Sequence, residues 1–193
     1  DTPTDNYAVL NPLNTAAAAT LSEANLKSTF AALYQYGYST IAIPEGTGKY
    51  VFDITFNTTA TDDNYNGGGL MIDYGANGAY VRELNMQNSG AYGVTDTGPS
   101  FRQNYIQDGV ASGFITLPLG TNIQFLVDRG ANTLQFVKDG TLQTGTGSTV
   151  TIPSSGNLVP FTFGYSSNCN ANFGQKDFAY TPPTGYKALS TQN

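Results

Sequence analysis

The chain has 193 residues, of which 11% are Asp, Glu, Lys or Arg, with a formal net charge of −6 and no histidine. So sparse and acidic a surface does not neutralise phosphates or anionic lipid, which sets aside nucleic acid and membrane insertion. With no imidazole and Cys169 as the single thiol, an internal disulfide, Ser-His-Asp and Cys-His catalysis and most zinc, copper and iron sites are excluded.

What remains favours strands. Thirteen Tyr, eleven Phe and twenty-two Gly suit a pleated structure with tight turns. A chain of this length buries about 70% of its unfolded surface, so it needs no metal or disulfide for stability. Cys169 is therefore expected as a small buried apolar residue. No apolar run of about 18 residues predicts a transmembrane helix, and no basic-then-apolar start predicts a signal peptide. The start at Asp1 without Met leads us to expect a processed product or a trimmed fragment.

In chain order, residues 1–37 read as an arm, Asn, Thr and Ala rich, with Pro3 and Pro12 and little alternation. Helix formers at 16–19 and 21–27 predict one short helix near 21–30. Such a segment stays disordered unless tied down, so the arm is expected to pack on its own domain or, as an assembly element, on a neighbouring copy. Residues 38–193 read as one β-domain. A strand is expected at 39–43 and a turn at 44–48. Along 49–56, Tyr50, Phe52, Ile54 and Phe56 fall on one face and Val51, Asp53 and Thr55 on the other, the period of a strand.

Residues 57–66 read as a polar loop, 70–74 and 79–84 as strands about Gly75-Ala76-Asn77-Gly78, and 85–108 as irregular. Two alternating runs, 122–128 and 133–138, flank a turn at 129–132. Asp139-Gly140 turns into 141–144, and strands follow at 149–152 and 159–165. Short strands at this spacing predict an all-β, antiparallel two-sheet β-sandwich.

The carboxyl end is specific in its wording. Val159-Pro160-Phe161-Thr162-Phe163-Gly164 leads to Asn172-Phe173-Gly174-Gln175, then Phe178-Ala179-Tyr180-Thr181-Pro182-Pro183-Thr184-Gly185-Tyr186-Lys187-Ala188-Leu189. The prolines cannot donate ladder hydrogen bonds, so this segment is expected to lie across the sandwich end, pinned by Tyr186 and Leu189. It resembles the closing segment of SPRY domains. Residues 122–140 resemble that family's central hairpin and 46–56 its early strand, so the likeness covers 38–190. The family's usual tryptophans are absent, and its Val-Gly-Ile segment is represented only by residues 68–72. The tail, with Tyr7-Ala-Val-Leu-Asn-Pro-Leu13, is similar to SPRY-like modules in bacteriophage virion proteins.

The resemblance implies a concanavalin A-like jelly roll. It further implies a non-catalytic virion structural or attachment module (tail fibre, spike or capsid decoration), located in the virion. The partners implied are other virion proteins or copies of itself, and a host surface protein or glycan. The alternative is a soluble SPRY-type peptide- or carbohydrate-binding domain outside any virion.

Three features are candidates for chemistry. Asp62 and Asp63, with Asn64 and Asn66, are oxygen-rich as calcium prefers, but the spacing is not that of an EF-hand and a solvated turn is expected. Glycoside hydrolysis needs two acids on one face at a defined separation, whereas Glu23, Glu45 and Glu83 stand isolated, so no catalysis and no cofactor are expected. Finally, Tyr74, Tyr80, Arg82, Tyr92, Phe101, Arg102 and Tyr105 form a polar-aromatic group. The family's order puts them in or near loops at the end where SPRY domains bind peptides, and aromatic-plus-Arg clusters serve as hot spots or sugar platforms. The competing reading is ordinary sandwich surface and rim.

Overall fold

The computed structural model describes residues 5–31, 35–57, 65–72, 91–96, 103–107, 110–114, 119–144 and 148–193. The strands are β1 (Leu10–Thr15), β2 (Ala19–Ser22), β3 (Lys27–Phe30), β4 (Gln35–Ser39), β5 (Lys49–Phe56), β6 (Tyr65–Ile72), β7 (Ala91–Asp96) and β8 (Gln103–Gln107). They continue with β9 (Val110–Phe114), β10 (Asn122–Asp128), β11 (Thr133–Lys138), β12 (Thr141–Leu142), β13 (Thr149–Thr151), β14 (Leu158–Tyr165), β15 (Ser167–Asn172) and β16 (Lys187–Ala188). One sheet has seven strands in the order β1-β4-β14-β6-β7-β8-β9. The other has nine: β12-β11-β10-β5-β15-β3-β2, with β13 beside β11 and the short β16 parallel to β5. Together they form the expected antiparallel sandwich, with no helix among the described residues.

The best-patterned segments form as their alternation predicts. β5 and β10 pair in register from Asn122 opposite Thr55 to Asp128 opposite Lys49. Phe52, Ile54, Ile123 and Phe125 thereby enter the space between the sheets. The Phe52 and Phe125 rings stack with centroids 4.7 Å apart, and Phe136 meets Phe125 edge-on at 5.7 Å. Each buried Phe contributes about 1.5–3 kcal/mol from its apolar surface.

Elsewhere the structure corrects the sequence. The helix expected near 21–30 is instead the β2–β3 hairpin, whose turn holds Glu23, Ala24 and Asn25 at φ 52°, 56° and 63°. The strand period there is hidden because one inward position is Ser28. Its hydroxyl lies 3.1 Å from Thr162 Oγ1 and 3.2 Å from Cys169 Sγ, so the polar group is satisfied inside the core. Burial of Leu26 and Phe30 on either side outweighs the weak helix propensity.

The amino-terminal segment packs on its own sandwich, one of the two placements expected for it. β1 pairs β4, β3 pairs β15, and Ala8 N–H donates to Leu189 O at 2.9 Å. The strands on both sides of the expected 37/38 boundary therefore share both sheets.

The strand expected at 39–43 ends at Ser39, whose hydroxyl donates to Ile41 O at 2.7 Å and turns the chain. β6 begins at Tyr65, inside the stretch read as loop. Gly68 is needed for packing, because a Cβ there would stand 2.4 Å from Ile54 Cδ1 on the facing sheet and 2.9 Å from Phe161 O. β7 and β8 occupy part of the stretch read as irregular, while the turn expected at 75–78 and the strand expected at 79–84 lie outside the described residues. β15 is the strand expected to end at Asn172-Phe173, and alternation alone does not show it because its outward positions are Asn and its inward ones Ser167 and the small Cys169 and Ala171.

Arg129 ties three loops together. Buried to 2% exposure, it donates through Nε to Pro44 O (3.1 Å), Nη1 to Pro153 O (2.7 Å) and Nη2 to Gly156 O (2.8 Å). Charge-assisted hydrogen bonds are stronger than neutral ones, and here one buried guanidinium makes three of them to backbone carbonyls of two other loops. Arg129→Met should therefore lower the unfolding free energy by about 3 kcal/mol or more, read as a shifted urea midpoint at unchanged slope.

Candidate functional site

The outer face of the nine-stranded sheet is where this chain departs from a plain sandwich. With Phe52, Ile54 and Phe56 turned inward, β5 presents Val51, Asp53 and Thr55 outward, and β10 presents Asn122, Gln124 and Leu126. Residues 173–188 cross this face, not the sandwich end that the prolines had led us to expect. At one end the cover is apolar: Phe178 and Tyr186 pack on Val51, Leu126 and Val137. Lys49 Nζ stands 5.6 Å above the Tyr186 ring and pairs with Asp128 Oδ2 at 2.8 Å. That pairing raises the Lys49 ammonium and lowers the Asp128 carboxyl from their ordinary values.

At the other end the cover is held by a cross-strand row of three polar side chains, Asn172, Asp53 and Gln124, aligned by the β15–β5–β10 register. Each binds tail backbone. Asn172 Nδ2 donates to Lys176 O and Asp177 O, each at 3.3 Å. Asp53 Oδ2 accepts from Ala179 N–H at 3.4 Å, and Gln124 Nε2 donates to Tyr180 O. The segment that cannot join a ladder thus has backbone groups satisfied by side chains.

Beside this row lies a cleft of about 220 Å³ lined by Asp53, Thr55, Asn122, Asn170, Asn172 and the tail. Its floor has a surplus of acceptors. Asp53 is 1% exposed and Asn122 7%, and among the described residues Asp53 Oδ1 and Asn122 Oδ1 have no hydrogen-bond donor. Burial pushes the Asp53 carboxyl up to about 6, partly offset by the Ala179 N–H and the Asn122 side chain. An isosteric amide would hold the Ala179 N–H without that desolvation cost, and a carboxylate kept in such a place marks a candidate site. The sequence signal was one acid in the centre of an aromatic and β-branched strand. Alternation alone sets it on the solvent face of the strand and carries no sign of its burial.

The residues expected to bind ligand fall differently. Tyr74, Tyr80, Arg82, Phe101 and Arg102 lie outside the described residues, as do Asp62, Asp63, Asn64 and Glu83. The backbone register puts position 92 of β7 opposite Leu70 and position 105 of β8 opposite Val94, so Tyr92 and Tyr105 are on adjacent strands of the seven-stranded sheet. Glu23 pairs with Lys27 at 3.5 Å and accepts from Asn170 Nδ2 at 2.9 Å; Glu45 accepts from Gly156 N–H. Cys169 is fully buried, and burial pushes its thiol up to about 11.

No family model matches the chain, and no curated protein matches it. Solved structures do. The SPRY domain of human HERC1 superposes with a TM-score of 0.61 at 15% identity, over 87% of this chain and 99% of that one. The PSpry domain of TRIM65 does so at 0.60 and 10% identity, over 86% and 91%. Stonustoxin matches at 0.58 and 15% identity over 86% of this chain, which spans 27% of the toxin chain. The fold is the SPRY-type β-sandwich.

Asp53 gives this fold a testable pH dependence. Its folded value of about 6 lies above the ordinary 3.8, so the folded state holds the proton more tightly. Its stabilising contribution is full below about pH 3.8 and is lost as pH rises through 6. Two pKa units amount to roughly 3 kcal/mol. The nearby ionisable groups, Lys176 and Asp177 on the tail and Asp139 bonded to Asn122 N–H, are common to both proteins in a comparison with Asp53→Asn. D53N should be the more stable protein at pH 8, and its advantage should vanish by pH 4 in parallel urea titrations.

Proposed function

We propose that the chain is a non-catalytic protein-binding module that serves as a structural or attachment component of a bacteriophage virion. The observation that carries the reading is the SPRY-type sandwich itself, the architecture shared with the HERC1 and TRIM65 domains. The virion setting is supported by the wording of 172–189 and of Tyr7–Leu13, two segments that the fold brings together. Tyr7 bridges Ser190, and a Cβ on Gly174 would stand 2.3 Å from Ala188 Cβ and 3.1 Å from Tyr7 Cε1. The absence of catalysis is supported by the scattered glutamates and the lack of any histidine.

The sandwich acts as a rigid frame, and its surface side chains select the partner. Partners in this reading are neighbouring virion proteins, copies of the chain or a host surface protein. Antibody raised against the chain should decorate purified phage particles by immunogold electron microscopy, and the chain should be recovered in stoichiometric amount from them. Particles that lack it would remove the virion assignment. Turnover of a polysaccharide panel that disappears on mutating one carboxylate would overturn the non-catalytic reading.

A further inference from the structure

The cleft beside the tail has a chemistry that selects its guest. Asp53 and Asn122 line the cleft, and among the described residues no donor meets two of their buried acceptor atoms, Asp53 Oδ1 and Asn122 Oδ1. On the rim, Lys176 and Asp177 are exposed and opposite in charge, so the Asp53 carboxylate sets the sign of the interior. A guest must therefore bring hydrogen-bond donors and is favoured if it is cationic. The size, about 220 Å³, is below the roughly 300–1,000 Å³ of pockets for drug-sized molecules and suits one side chain. Among the described residues no aromatic ring lines it, so they offer a sugar no face on which to stack.

We infer that this cleft, on the outer face of the nine-stranded sheet, receives a single arginine or lysine side chain from a protein partner, with Asp53 as its counter-ion and Asn122 as a second acceptor. The inference rests on the protein-binding reading above and names the partner's chemistry. A guanidinium presents several N–H donors in a planar fork, which matches a site with more than one unsatisfied acceptor. The desolvation that raises the Asp53 carboxyl is offset by the attraction of an arriving cation, so the charge disfavoured in the free protein is compensated in the complex. Because the tail forms one wall and is itself held by Asn172, Asp53 and Gln124, the cleft is pre-shaped by side chains that also anchor the fold.

The test uses small probes and needs no known partner. Backbone amide resonances of the ¹⁵N-labelled chain are followed while N-acetyl-argininamide, its neutral isostere N-acetyl-citrullinamide, methyl galactoside or calcium chloride is added. We expect the arginine probe to move the resonances of Asp53, Asn122 and Ala179, and the citrulline probe to bind more weakly. D53N, which keeps an acceptor for the Ala179 N–H, should weaken arginine binding roughly tenfold or more. Lys176→Ala, on the exposed rim, should tighten it. Equal binding of arginine and citrulline, an unchanged affinity in D53N, or movement of the same resonances by calcium or the sugar but not by arginine would each overturn the inference. A virion or host partner captured equally by the native chain and D53N would overturn the cleft while leaving the protein-binding reading intact. Asp53-dependent arginine binding by a chain absent from purified particles would uphold the cleft and remove the virion assignment.

Discussion

The pairing of β5 with β10 is the constraint on which the rest of this molecule depends. Its register puts Phe52 against Phe125 on one side and Asp53 beside Gln124 on the other. A one-residue slip would send the aromatic stack to the surface and the acid and amide to the core. The same ladder therefore builds the apolar interior and the polar row that fastens the tail. Asp128 and Lys49 close it at one end, where the pair also carries the Tyr186 ring.

The tail shows how a segment unable to join a sheet can still be fixed. Pro182 and Pro183 break the ladder, yet β16 returns beside β5 and Leu189 enters the main core. Between these anchors, Phe178 and Tyr186 cover an apolar patch, and the Asn172–Asp53–Gln124 row binds the backbone of 176–180. The face so covered is half apolar lock and half polar cleft. The acid that helps fasten the chain also supplies the cleft's charge, so stability and recognition are set against each other at one carboxyl group. Strain or cost retained at one place in an otherwise consistent structure is the usual physical mark of a site.

The amino-terminal stretch illustrates a different economy. β1 and β2 form neighbouring edges of the two sheets, on the same side of the sandwich, and both come from the first 22 residues. Three successive residues in the left-handed region make the β2–β3 turn tight enough for Leu26 to reach the core. Such conformations cost about a kcal/mol or more each in non-glycine residues, and burial of Leu26 and Phe30 offsets them.

The sequence by itself determined the class of fold and its best strands. Alternation at Lys49–Phe56, Asn122–Asp128 and Thr133–Lys138 is clear because large apolar residues, among them Phe52, Ile54, Phe125, Val127, Leu134 and Phe136, occupy the inward positions up to the strand end at Lys138. The Asp139-Gly140 turn was legible for a similar local reason, since both residues adopt positive φ, 46° and 80°. Only the tertiary structure decided the rest. Ser28, Gly68, Cys169 and Ala171 occupy inward positions without being large or apolar enough to show a period, and their fitness depends on what stands opposite. Asp53 was legible as an outward residue of a strand. That it is buried followed from a tail more than a hundred residues later folding over it, which no local pattern encodes.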